Sequence, residues 1–141
     1  MPTSHPAALH RREVLYIDDE EFSLLLMEAL FEQRPNLRLV TACSEAEALT
    51  VAPRLAPQLL LLDLNLAGGS DGRQVLHTLR QRFGWHDIPA IAITGERDFE
   101  PQGSGFCEVW IKPILLLHSL TRLDHWLQQA PQPPAPARAT A

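Results

Sequence analysis

LLLLDLNL, residues 59–66, decides how this chain folds. Leu59 to Leu62 form too short an apolar run for a helix, with Pro57 just before it and Asp63 just after. A short unbroken run bounded in this way reads as a strand buried on both faces, as in a parallel sheet covered by helices.

Working outward, strand-like runs alternate with helical patterns. Upstream, Val14-Leu15-Tyr16-Ile17 is a first strand. It leads to a helix whose expected buried face is Phe22, Leu25, Leu26, Ala29 and Leu30, ended by Pro35 and Asn36. The run from Leu24 to Met27 is more apolar than one helix face needs, which points to a partly exposed partner surface. Leu37 to Val40, interrupted by Arg38, suits an edge strand. Ser44 and Glu47 form an S-x-x-E capping box that opens a second helix. Downstream, Arg73 to Arg82 reads as a third helix, Ile88 to Ile93 as a fourth strand and Val109 to Ile111 as a fifth. The last helix carries a stripe of Leu116, Leu120, Leu123 and Leu127. This alternation predicts an α/β fold, a doubly wound five-stranded parallel sheet with right-handed crossovers.

Composition narrows the function classes. The 141 residues are 45% hydrophobic and 21% charged with a net charge of −5, an ordinary globular balance that argues against nucleic acid or an anionic membrane surface as partner. No segment approaches a membrane span or a signal peptide, so the cytoplasm is the expected compartment. Cys43 and Cys107 form no metal-spaced set and are expected to be reduced and partly buried. The six histidines, 5, 10, 77, 86, 118 and 125, likewise lack metal-ligand spacing, and Trp85, Trp110 and Trp126 read as packing residues. Residues 1–12 are expected to be a disordered arm, 13–129 one domain, and 130–141 a disordered Pro/Ala-rich tail.

The chemistry lies in how the buried strands end. The first stops at Asp18-Asp19, the third at Asp63, the fourth at Thr94 and the fifth at Lys112. In a parallel sheet these ends share the edge where such folds place their ligands. Three converging carboxylates repel one another unless a cation is present, and Mg²⁺ before Ca²⁺ suits oxygen donors and a phosphate. Lys112 offers a point charge and Thr94 a hydroxyl to the oxygens of that phosphate, and an aspartate can accept a phosphoryl group as an acyl phosphate.

VLYIDDEE (14–21), LLLLDLNL (59–66), AIAITG (90–95) and WIKP (110–113) together resemble the receiver domains of bacterial two-component response regulators, in the family's order and over residues 12 to 129. The resemblance implies a flavodoxin-like strand order 2-1-3-4-5 and a stand-alone phosphorylatable signalling switch rather than an enzyme acting on a separate substrate. It implies Asp63 as phosphoacceptor, with Thr94 and Lys112 binding phosphoryl oxygens and Lys112-Pro113 in cis. Asp19, Asp63 and the Asn65 carbonyl would hold Mg²⁺, with Asp18 acting largely through water. A sensor histidine kinase or a histidine phosphotransfer protein would donate the group from phosphohistidine. Output would run through protein–protein contact or a phosphorelay. Asn65 and Glu96 stand where chemotaxis-type receivers tune dephosphorylation, which points to rapid loss of the group.

Three departures from the family pattern carry consequences. The Asp71-Gly72 pair comes one residue later than usual, and Ala67 replaces a common proline, so that loop is expected to be more mobile. Only 18 positions separate Thr94 from Lys112, and they include Pro101, Gly103 and Gly105, so the fourth helix is expected to be short or missing. The family's switch aromatic falls at Val109, and Trp110, one residue later, points to the other face. A homodimer is compatible with the resemblance, but its geometry does not carry over, because the fourth-helix face must be rebuilt. Two other readings stay open. One is a receiver-fold protein-binding module that no longer depends on phosphorylation. The other is a Mg²⁺-dependent phosphohydrolase with an aspartyl nucleophile, against which stand the missing cap and the nucleophile's place after the third strand.

Overall fold

The computed structural model describes residues 11–129. The expectations for an N-terminal arm and a Pro/Ala-rich tail therefore lie almost wholly outside the described residues. Arg12, assigned to the arm by its sequence, is the first residue of strand β1.

The chain runs β1 (Arg12–Ile17), α1 (Glu21–Phe31), β2 (Leu37–Ala42), α2 (Glu45–Val51), β3 (Pro57–Asp63), α3 (Gly72–Phe83), β4 (Ala90–Thr94), β5 (Glu108–Ile111) and α4 (Leu116–Gln129). The five strands form one sheet in the order β2-β1-β3-β4-β5, every pairing parallel. The fold class, strand order and edge position of β2 expected from the sequence are thus observed. Helix α2 is short because Pro53 follows it, and the chain continues as a 3-10 turn at Ala52–Arg54. Its expected cap is present: Glu47 N donates to Ser44 Oγ at 3.1 Å. The Glu47 carboxylate reaches back one residue further than a standard capping box, accepting from Cys43 N at 2.6 Å.

Strand alternation divides the core into two layers. Leu15, Ile17, Leu60, Leu62 and Ala92 meet Ala48 of α2 and Val75, Leu76 and Leu79 of α3. Val14, Tyr16, Leu59, Leu61, Ile91, Ile93 and Trp110 meet Met27, Leu30 and Phe31 of α1 and Leu120, Leu123 and Leu127 of α4. As expected, Trp110 and Val109 point to opposite layers.

The buried face of α1 needs correction. Ser23, Met27, Leu30 and Phe31 face the core, while Phe22 and Leu25 are 62% and 57% exposed and Ala29 is exposed. An almost continuously apolar helix offers more than one stripe of helical period, so periodicity could not choose between them. Ser23 donates to Glu20, and Met27 and Leu30 on the same face pack against the sheet. Leu116 is also corrected: it is 47% exposed at the first turn of α4, and the preceding Ile114 fills the core position instead. Cys43 and Cys107 are free, as expected, but exposed rather than partly buried.

The segment 95–107 contains no helix. Phe106 is buried and Phe99 meets it edge-on at 6.3 Å, so two aromatics cover the sheet in place of a helix. Arg80 of α3 donates to the carbonyls of Gly105 at 3.0 Å and Ile88 at 2.9 Å, tying the segment to the body. Gly105 has φ +95, and a Cβ there would meet Arg80 and Leu76 at 3.2 Å, so the position favours glycine.

Glu108 fastens β5 to α4. Its carboxylate accepts from Trp110 Nε1 at 2.8 Å, Trp126 Nε1 at 2.8 Å and Arg122 Nε at 2.9 Å. Burial alone would raise the Glu108 pKa, but the bonds from Arg122, Trp126 and Trp110 outweigh it and hold it below the usual value. A depressed folded-state pKa stabilises above the unfolded value of about 4.3 and loses that contribution as pH falls through the folded value. Glu108→Gln is expected to cost about 1–3 kcal/mol at neutral pH. The gap to wild type should narrow below about pH 4 in urea titrations run across pH.

Candidate functional site

The parallel hydrogen-bond ladder continues one residue past each relevant strand end. Asp18 N donates to Ala42 O at 3.0 Å, Leu64 N to Ile93 O at 3.2 Å and Lys112 N to Thr94 O at 2.8 Å. The loop residues that carry chemistry are therefore held by the sheet itself, and the predicted groups meet on its carboxyl edge.

Asp18, Asp19 and Asp63 each offer a carboxylate oxygen within 4.8 Å of the others. Asp18 is fully buried, Asp63 nearly so and Asp19 exposed, which makes a pocket with one open side. Lys112 Nζ lies 3.0 Å from Asp18 Oδ2 and 3.3 Å from Asp63 Oδ2. Asp63 is pushed up to about 6 by burial first; the Asn65 amide bond and Lys112 pull it down, while Asp18 adds to the rise. Burial disfavours the charged Lys112, but its bonds to Asp18 and Glu20 outweigh that and raise its pKa. The pocket thus carries more negative charge than its one ammonium offsets. Three hard oxygen donors around one opening fit a small divalent cation rather than a soft metal.

The remaining expected residues are also brought together. Asn65 N donates to Asp63 Oδ1 at 3.0 Å, and its side-chain amide donates to Glu96 Oε2 at 2.9 Å. Thr94 is fully buried, and its Oγ1 accepts from Glu96 N at 3.0 Å, which leaves the hydroxyl proton for another acceptor. Asp19 Oδ2 accepts from Ala67 N at 2.8 Å, fastening the loop after β3 to the loop after β1. The Lys112-Pro113 peptide is cis, as the resemblance implied.

Sequence reasoning left three contributors without a role. Glu20 Oε1 is 3.0 Å from Lys112 Nζ and accepts from Ser23 Oγ at 2.5 Å. The Tyr16 hydroxyl donates to Asp18 Oδ2 from inside the core. Burial, then Asp18, raises the Tyr16 pKa, so its phenol stays protonated and able to donate. Strand parity could have found Tyr16, since it stands two residues before Asp18 and both belong to one side of the strand. Glu20 lies beyond the strand, where no periodicity applies.

A family model described as the response regulator receiver domain matches residues 14–105. The protein-glutamate methylesterase/protein-glutamine glutaminase 2 of Methanospirillum hungatei is 29% identical over 94 residues, 66% of this chain. The chain spans only 26% of that relative's length. The chemotaxis response regulator CheY4 of Vibrio cholerae has a similar structure, with a TM-score of 0.72 and 19% identity over 82% of this chain and 98% of that one. A response regulator of Thermotoga maritima, solved in complex with Mg(2+)-BeF, gives 0.67 and 23% over 82% and 98%. At these identities the structural likeness speaks for the fold alone.

Gly72, the first residue of α3, abuts the backbone of Asp63. A Cβ there would lie 2.4 Å from Asp63 O and 2.9 Å from Leu64 Cα, and Gly72 N donates to Leu64 O at 2.9 Å. The approach of helix to strand that sets Asp63 thus requires the absence of a side chain. Gly72→Ala is expected to destabilise by about 1–3 kcal/mol, the usual cost of overpacking, measured by urea unfolding. A change no larger than that of an exposed substitution would show that α3 can back away freely.

Proposed function

The chain belongs to the family of response regulator receiver domains, and we propose that it accepts a phosphoryl group on Asp63 from a phosphohistidine donor with Mg²⁺ in the acidic pocket. The observation that carries this reading is the contact of Lys112 with both Asp18 and Asp63. It supports a site built around one acceptor, one cation-binding rim and one movable ammonium.

Phosphoryl transfer asks mainly for positioning and charge neutralisation. Asp63 Oδ1 is held by the Asn65 amide, which fixes the plane of the acceptor carboxylate. The transfer breaks the donor's P–N bond and forms a P–O bond to that carboxylate. Lys112 turns its charge to a phosphoryl oxygen, and the free hydroxyl proton of Thr94 is available to another. Asp19 and Asp63 with the Asn65 carbonyl, and Asp18 largely through water, would hold Mg²⁺. The ion's contribution is to neutralise the carboxylates and the incoming phosphoryl oxygens.

The partner in this reading is a sensor histidine kinase or a histidine phosphotransfer protein, and the output is protein–protein contact or onward relay. Residues 13–129 form the receiver unit, and the cytoplasm is its compartment. Among the described residues no helix is long and apolar enough to cross a membrane. The helix-free segment 95–107 favours a second reading, a binding module that has left phosphorylation behind.

Incubation with Mg²⁺ and acetyl phosphate, read by intact-protein mass, decides between the two readings. A gain of one phosphoryl group that is lost with EDTA or in Asp63→Asn is expected. No gain in a folded, Mg²⁺-binding protein would favour the binding module. Asn65, whose backbone amide holds Asp63, also donates to Glu96, and the expected fast loss of the group would be contradicted by a phosphoaspartate that survives many hours under native conditions. Glu96→Ala is expected to change the lifetime several-fold, read by loss of the added mass over time.

A further inference from the structure

Five polar side chains are linked in a row beside the pocket, from Ser23 through Glu20, Lys112 and Asp18 to Tyr16. Lys112 Nζ meets Asp18 Oδ2 and Glu20 Oε1, each at 3.0 Å. Glu20 accepts from Ser23, and the Tyr16 hydroxyl donates to Asp18 Oδ2. Tyr16 is fully buried in a layer with Val14, Leu59, Leu61, Ile91, Ile93 and Trp110. A buried phenol requires a partner, and a fully buried carboxylate requires donors.

The donors to Asp18 are not equivalent. Its Oδ1 is held by Glu20 N at 2.9 Å. Its Oδ2 is shared by Lys112 and Tyr16. Lys112 also reaches Glu20 and Asp63, and it is the group that turns to the phosphoryl oxygens in the proposed reaction. Once it does so, only Tyr16, rooted in the sheet, still holds Oδ2.

We propose that Tyr16 is a positioning residue of the pocket, whose hydroxyl fixes the Asp18 carboxylate for the divalent cation. The inference rests on the reading of Asp18, Asp19 and Asp63 as a Mg²⁺ site. Groups that hold the ligands of a metal commonly matter 10–100-fold to its affinity. Tyr16→Phe keeps the ring and its packing and removes only the hydroxyl.

The test is calorimetric titration of the whole chain with Mg²⁺ alone, beside Tyr16→Phe and Asp19→Asn. Tyr16→Phe is expected to raise the Kd for Mg²⁺ about tenfold. With acetyl phosphate as donor, its phosphorylation should need more Mg²⁺ for half-maximal rate, while the rate at saturating Mg²⁺ returns to that of wild type. Packing alone would not produce that split. An unchanged Kd, or a rate defect that saturating Mg²⁺ does not repair, overturns the inference while leaving the metal site intact. Wild type that binds no Mg²⁺, or Asp19→Asn that binds it equally well, overturns the metal reading itself and this inference with it. Tyr16 is the sole tyrosine in the chain, so fluorotyrosine labelling gives one ¹⁹F resonance that does not depend on the variant folding. That resonance should move with Mg²⁺ along the calorimetric isotherm, and a stationary signal overturns the role given to Tyr16.

Discussion

Lys112 Nζ lies within 3.3 Å of carboxylate oxygens from Asp18, Glu20 and Asp63, and the arrangement of the site depends on that sharing. Removing one partner of a buried ion pair leaves an uncompensated charge, at a cost of about 3–5 kcal/mol. Here one cation serves carboxylates from the β1 end, the following turn and the β3 end. The charge imbalance that results suits a pocket that takes in further positive charge and then an anion. A balanced pocket would have a weaker reason to bind either.

The sheet supplies the precision. Because all five strands are parallel, their carboxyl ends share an edge, and the ladder extends into Asp18, Leu64 and Lys112 beyond the strands. Functional groups on rigid elements are held more closely than groups on free loops. Gly72 extends the same control from the helix side, since α3 begins against the backbone of Asp63. The segment 95–107 leaves this same edge after Thr94, and two phenylalanines and the reach of Arg80 hold it without a helix.

Much of this was legible in the sequence because it rests on strong, local signals. The unbroken run Leu59 to Leu62 fixed a buried strand, and the polar residues that follow four strands fixed one edge. Pro101, Gly103 and Gly105 announced that the fourth helix would be short or missing. The buried face of α1 was not legible, because Phe22, Leu25, Met27 and Leu30 are all apolar and more than one stripe of helical period could face the sheet. The exposure of Leu116 depends in turn on Ile114 occupying the core just before the helix starts. Within the site, strand-end residues were found and their supports were not. Glu20 and Ser23 act through contacts that bring a turn back onto Lys112, which no spacing rule encodes.

In the proposed reaction Asp63, and not another carboxylate of the cluster, carries the phosphoryl group. Borohydride reduces an acyl phosphate on aspartate to homoserine, which marks the position permanently. Peptide mapping of the phosphorylated and reduced protein should find homoserine at position 63 alone. Homoserine at position 18 or 19, or a phosphorylated protein with no homoserine at all, would contradict the account.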